Sequence, residues 1–203
     1  MIRRIPILAT LVVFAAVAIM LRLGLWQLER RAEKEMLIAQ FEAAMQDRGA
    51  VFDLDQDKLQ PPAYVPPFYG QAKVTCVSGT GDAMRAGRNA AGEPGWAHVV
   101  SCGYRPQAGA LARRNVIVGW SREPRPVKWT GGGVTGTIVP ESTKDTDLWH
   151  IVADPPLAGL AANAKPDPRD IPNNHLSYAV QWFLFAAVAL VIYGLALRKR
   201  LKG

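Results

Sequence analysis

The chain has three histidines and two cysteines, and one histidine stands apart by its neighbours. His175 lies in the stretch Pro172-Asn173-Asn174-His175-Leu176-Ser177-Tyr178-Ala179-Val180-Gln181-Trp182-Phe183, at the head of a long apolar run. On a helix, Tyr178 and Ala179 follow it by three and four positions and Trp182 by seven, so all share one face. Ala186, Ala189 and Tyr193 continue that stripe, and small residues on a stripe let another helix or a flat ligand approach closely. A lone imidazole at the edge of an apolar run is costly unless it is paired, ligated or wet. The counterpart is Gly24-Leu25-Trp26-Gln27, at the end of an earlier apolar run. If the two runs are antiparallel helices, Trp26 and Gln27 are candidates to face His175 across one shallow site. A neutral imidazole can ligate heme iron, aromatic rings can pack a macrocycle, and Arg22, Arg30 or Arg31 can pair with propionates. Simpler readings stand beside this one. Tyr178 and Trp182 suit an interfacial aromatic belt, and Asn173 or Asn174 suits a helix cap.

Elsewhere the sequence offers little catalytic chemistry. It contains no GxSxG, HExxH or P-loop, and its Gly-rich GGGVTG precedes a β-prone run where a phosphate cradle needs a helix. His98 and His150 each sit inside a β-prone run and read as structural or merely exposed. The carboxylates are scattered, and a Ser/His/Asp triad assembled across long separations has no signal here. The expectation is a protein that is not an enzyme. Cys76 and Cys102 lie too far apart for CxxC or CxxxC redox or copper chemistry. In an oxidising compartment they read as a structural disulfide, with two buried free thiols as the alternative.

The elements that must position His175 are two spans. Ile5 to Met20 is free of charge, and Leu23 to Trp26 resumes the run after Arg22; Leu176 to Leu197 is also uncharged. About 20 apolar residues cross a hydrocarbon core, so both qualify. A cleaved secretory signal, with small residues near Ala16-Val17-Ala18, is the rival for the first. The uncleaved anchor is preferred, because the helical pattern continues through WQLERRAEKEMLIAQFEAAM. The formal charge of +7 supports a membrane reading. All 17 acidic residues fall between Glu29 and Asp170, where as many basic ones balance them. The surplus is Arg3, Arg4 and Arg22 at one end and Arg198, Lys199, Arg200 and Lys202 at the other. A nucleic-acid partner needs a basic folded surface, so none is expected. The positive-inside rule places both termini in the cytoplasm and exports the middle. With only MIRR before the first span, the lipid bilayer expected is a bacterial cytoplasmic (inner) membrane with a periplasmic domain.

The reading therefore divides the chain into a cytoplasmic start at 1–4, a first transmembrane helix at 5–25, an extracytoplasmic domain at 26–172, a second transmembrane helix at 173–197 and a cytoplasmic end at 198–203. The domain opens as a helix to about residue 48, with Leu37, Phe41, Ala44 and Met45 at helical spacing and Gly49 as its stop. Mainly β structure follows, with runs at Phe68 to Val77, Ala97 to Tyr104, Asn115 to Trp120, Gly133 to Val139 and Leu148 to Val152. SGTGD, NAAGEPG and REPRP read as turns between them. ADPPLAGLAANAKPDPRDIPNN reads as a Pro-rich return to the membrane. The fold class expected is a membrane protein with two transmembrane helices flanking one mainly-β, α+β domain, a small antiparallel sheet or barrel.

These motifs resemble the surfeit locus protein 1 family of cytochrome c oxidase assembly factors. The resemblance rests on LGLWQLERRAEKEMLIAQF at the first span and NNHLSYAVQWFLFAAVALVIYGL at the last. PPAYVPPFYGQAKV, GEPGWAHVVSCGYRP and VIVGWSREP resemble the family's core segments. The chain departs from the family pattern at Val118, where a basic residue usually precedes Gly-Trp, at Tyr64-Val65, and in having cysteines, which argues for a local disulfide over copper transfer. The resemblance implies a chaperone that binds heme a at the outer membrane face and aids its insertion into the catalytic subunit of cytochrome c oxidase. A heme a synthase is a further implied partner. Carried over by position, His175 becomes the axial ligand of the heme iron, with Trp26, Gln27, Tyr178 and Trp182 shaping the site and Arg22 as propionate partner. The alternative is a stably associated accessory subunit of a respiratory oxidase with no heme-transfer role.

Overall fold

The first helix, α1, runs unbroken from Ile7 to Gln46, 40 residues. It starts directly after Pro6, whose carbonyl accepts the Thr10 N–H at 3.0 Å; proline suits a helix start because its missing N–H would be unpaired there anyway. At 1.5 Å per residue α1 is about 60 Å long, roughly twice the hydrocarbon thickness. The computed structural model describes residues 6–47, 51–56, 66–107, 109–141 and 148–202. Arg3, Arg4, Gly49 and Tyr64-Val65 lie outside the described residues. The second long helix, α2, covers His175–Lys202. Both helices are long and apolar enough to cross a membrane, and they flank a mixed β-sheet domain in what is thus a membrane protein. The chain divides into two units, Met1–Ile38 with Ile171–Gly203, and Ala39–Asp170.

The first unit is a helical hairpin. Thr10 hydrogen-bonds Tyr193 and Gln27 hydrogen-bonds His175, so α1 and α2 run antiparallel. The two contacts are about 26 Å apart along either helix, close to one hydrocarbon thickness. Between them Val17, Ala179 and Ala186 are buried. Gly24 faces the Phe183 ring so closely that a Cβ there would come within 2.6 Å of it. Small residues allow this approach. The alanine stripe on α2 is therefore occupied, at Ala179 and Ala186, by helix packing.

The second unit is a seven-stranded sheet. Its strands are β1 (Val51–Asp53), β2 (Gln71–Cys76), β3 (Ser78–Arg88), β4 (Pro94–Tyr104), β5 (Ala112–Ser121), β6 (Gly132–Pro140) and β7 (Trp149–Ala153), in the order β1-β2-β6-β7-β5-β4-β3. β1 with β2 and β5 with β7 pair in parallel, and the other four pairings are antiparallel. Only Val77 separates β2 from β3, although four strands stand between them in the sheet. The sheet must curl on itself to allow that. Val77 N–H donates to Gly103 O at 2.8 Å, and the Cys76–Cys102 disulfide ties β2 to β4. β2 alternates exposed and buried residues, as a strand with one solvated face should. β7 and the second half of β5 are buried throughout. Beyond Ile117, where pairing with β7 ends, the segment Leu157–Ala161 takes over the edge of β5. A Cβ at Gly119 would meet Leu160 Cβ at 2.4 Å, so the Gly-Trp pair needs its glycine for this close approach.

Three local expectations are corrected. SGTGD lies inside β3, where Gly81 takes φ 77° beside a bulge between Thr80 and Ala83; the glycines and the aspartate of an edge strand imitate a turn signal. Phe68 to Gly70 form a turn ahead of β2, closed by Gly70 N–H to Pro67 O at 2.9 Å. Their β propensity yields to packing, because Phe41 of α1 stacks edge-on against Phe68 and tilted against Tyr69. β1 answers to no β-prone run in the sequence reading; it is held by parallel pairing to β2.

Candidate functional site

In the hairpin unit, α2 begins at His175 because Asn174 supplies the last non-helical carbonyl, which accepts from Tyr178 N–H at 3.4 Å and from Ser177 Oγ at 2.7 Å. This leaves the imidazole half-buried at the open end of the helix. Its Nδ1 lies 2.7 Å from Gln27 Oε1. A carbonyl oxygen only accepts, so Nδ1 is the donor in this contact and Nε2 is the ring nitrogen the contact leaves unengaged. The structure thus brings His175 and Gln27 together. Trp26 and Tyr178 are 43% and 50% exposed. Trp182 is half-buried, edge-on to Phe185 at 6.2 Å. Arg22 is exposed and 3.6 Å from Glu29, so this guanidinium has a carboxylate partner within its own helix.

The donor set bears on what can be held here. Among the described residues no group of three or more His, Cys, Asp or Glu is placed to hold a metal ion. A heme iron brings its four equatorial nitrogens with the macrocycle and asks the protein for an axial ligand, which one histidine supplies. His175 could serve as such a ligand through Nε2, and Trp26 and Tyr178 are exposed on the two helices that carry Gln27 and His175.

The sheet unit contains two histidine clusters that the sequence reading missed. His98, fully buried on β4, has Nδ1 3.0 Å from Asp82 Oδ1 and Nε2 2.8 Å from Ser121 Oγ. This is the order of a hydrolase triad, and a shallow cleft of about 360 Å³ opens beside Ser121. The protons argue against that chemistry. Ser121 donates to Glu123 O at 2.7 Å, because a carbonyl has nothing to donate. In that arrangement Oγ presents a lone pair to His98 Nε2 and accepts from it. Ser121 thus points its own proton toward Glu123 and away from the base that would activate it. Asp82 Oδ2 also accepts Val127 N–H at 2.6 Å. The cluster fastens β3, β4 and the exit of β5 to one another.

The other cluster centres on His150 of β7. Arg85 Nη2 donates to Nε2 at 2.8 Å, and Nδ1 lies 2.8 Å from Glu141 Oε1 but too far off line to form a hydrogen bond. Burial, and then the Arg85 guanidinium, push the His150 pKa down to about 4 against the opposing pull of Glu141. The ring is neutral at physiological pH. A polar residue inside an apolar strand was the only sequence signal for either cluster, and it does not name the partners.

A profile of the SURF1 family matches residues 14–187 of the chain, most of its length. No curated protein matches it.

Proposed function

Because the chain belongs to the SURF1 family, a family of cytochrome oxidase assembly factors, we propose that it binds heme a as cargo at the outer face of a bacterial inner membrane. From there it delivers the cargo to the catalytic subunit of cytochrome c oxidase. The observation that carries this reading is the His175–Gln27 contact, which leaves Nε2 of His175 free to ligate. The spacing of the two polar contacts of the hairpin, near one hydrocarbon thickness, supports a place for His175 close to one membrane face. The basic residues Lys199, Arg200 and Lys202 in the last turn of α2 support a cytoplasmic opposite face.

Heme supplies the iron and the macrocycle; the protein supplies a ligand and surfaces. His175 would hold the iron, and the exposed rings of Trp26, next to Gln27 in the sequence, and Tyr178, three positions after His175, would be the candidate apolar faces for the macrocycle. Arg22 can exchange Glu29 for a propionate, since both partners of that pair are exposed. A single axial ligand on an open two-helix face suits transfer better than an enclosed pocket would, because the cargo leaves sideways without unfolding the site. No covalent bond of the cargo changes apart from iron ligation.

The test is retention. After co-expression with a heme a synthase and purification in mild detergent, the native protein is expected to give a heme a pyridine hemochrome spectrum. His175→Ala is expected to lose at least tenfold of the bound heme, in line with the loss of a metal ligand. Native protein without heme, or a variant with equal heme, overturns the assignment. Stable 1:1 co-purification with mature oxidase points instead to an accessory subunit.

A further inference from the structure

We propose that Gln27 is the positioning residue for His175: its amide oxygen selects the ligating nitrogen and sets how firmly that nitrogen holds iron. The proposal rests on the heme-transfer reading above and goes beyond it by assigning the release property to a named side chain.

Three observations carry it. The contact joins residues of different helices, Gln27 on α1 and His175 at the first position of α2, at 2.7 Å. It is held at that distance by packing. Gly24, one turn before Gln27, lies against Phe183, and Ala179, one turn after His175, is buried. Neither helix can withdraw without opening that seam. Third, the acceptor is neutral. A histidine has two ring nitrogens, and the hydrogen bond at one decides the state of the other. With Oε1 facing Nδ1, the ring proton is on Nδ1 and Nε2 is open to iron. Were the amide turned to present its nitrogen, Nδ1 would accept, the proton would sit on Nε2, and the ligand would be closed.

The strength of the bond follows from the same contact. Metal-bound histidines commonly donate their second nitrogen to a carboxylate or a carbonyl, and the acceptor raises ligand basicity. A carboxylate draws the proton hard and makes the ring a stronger donor to iron, because charge-assisted hydrogen bonds are about twice as strong as neutral ones. An amide oxygen draws it weakly. Gln27 therefore orients the ring fully while strengthening it little, which is the combination a protein needs if it must hold heme in one geometry and then give it up.

Nitrogen-15 spectra of histidine-labelled full-length apoprotein in detergent, at a pH where the ring is neutral, report the tautomer without any heme. The native protein is expected to show His175 protonated on Nδ1, and Gln27→Leu a mixture of the two forms. On heme a-loaded protein, transfer to excess apomyoglobin gives the release rate and a redox titration gives the midpoint potential. Gln27→Glu is expected to slow release about tenfold and lower the potential, and Gln27→Leu to speed release about tenfold, the lower end of the range for such outer-shell partners. The two variants move in opposite directions, which a loss of folding does not produce. A native His175 protonated on Nε2, or release rates within about twofold for both variants, overturns the proposal and leaves the heme reading standing. If His175→Ala binds heme with an unchanged spectrum, the His175 ligand assignment fails and this proposal fails with it, whatever the tautomer; if the native protein binds no heme, the heme reading itself fails.

Discussion

The hairpin and the sheet treat histidine in opposite ways. In the sheet, His98 has both ring nitrogens engaged, and His150 has one nitrogen bonded to Arg85 and the other crowded by Glu141. In the hairpin, His175 makes one hydrogen bond through Nδ1, to an uncharged partner. Burial and the charged groups beside them make the first two conspicuous. Yet a ring with no spare nitrogen is a cross-brace, and only a ring with a nitrogen left over could take a ligand. The spare nitrogen separates the two roles, and burial beside charge by itself does not.

The strongest way to break that distinction is to remove His98. His98→Leu preserves volume but leaves Asp82 without its ring partner, and losing one member of a buried polar pair is severely destabilising. The expected loss is about 3 kcal/mol, at the lower end for such pairs because the Asp82 side chain keeps 12% exposure. Urea midpoints of the full chain in detergent measure it. Adding Asp82→Leu is expected to recover part of the loss, as removal of both partners relieves the orphaned group. Heme content per folded molecule should stay at the native level. A fall in heme matching that of His175→Ala would show that the sheet histidine belongs to the binding site after all.

His150 gives a smaller effect with a defined pH window. Its pKa is about 6.5 when unfolded and about 4 when folded. Above the first value both states are neutral and the group adds no pH dependence. As pH falls from about 6.5 to about 4, the unfolded chain takes up a proton that the folded chain refuses, so stability falls. Summed over the window this is on the order of 3 kcal/mol at most. Protection factors of the β5 and β7 amides, taken against the unfolded-chain exchange rate at each pH, are expected to fall across that range in the native protein. His150→Gln should show a much flatter response, and a slope that persists in the variant would assign it to carboxylates instead.

Much of the hairpin was legible in the sequence because lipid imposes a rule that short windows can read. Leu176 to Leu197 carries no charge, and antiparallel pairing of two such runs sets Gln27 level with His175 without any knowledge of packing. The division of labour among the other site residues was less legible. Ala179 and Ala186 looked equally suited to a helix and to a flat ligand, and only the buried seam with α1 decides. The sheet was legible as strands and poorly legible as pairings. Parallel pairing of β5 with β7 leaves no local mark. Asp82 was hidden inside SGTGD, read as a turn, so the carboxylate facing His98 could not be located. Ser121 meets His98 through the β4–β5 register, which shifts at His98 and Val99. A bulge of one residue re-aims side chains, and no spacing rule carries across it.

Ser121→Ala is the smallest of these perturbations and the sharpest on chemistry. In the arrangement described, Ser121 Oγ accepts from His98 Nε2 and donates to Glu123 O. The alanine removes both bonds and leaves a buried ring N–H without an acceptor, which should cost about 1 to 2 kcal/mol and stay below the loss from His98→Leu. In the contrary arrangement, with Ser121 donating to His98 as in a hydrolase, Nε2 would be an acceptor and the serine an activated nucleophile. The two differ in where one proton sits. Nitrogen-15 spectra at neutral pH are expected to show His98 protonated on Nε2 in the native protein, and a fluorophosphonate probe is expected to leave Ser121 unlabelled. Labelling that Ser121→Ala abolishes would reverse the proton order and turn the brace into a reactive site, because the same three side chains at the same distances perform either role according to the direction of one hydrogen bond.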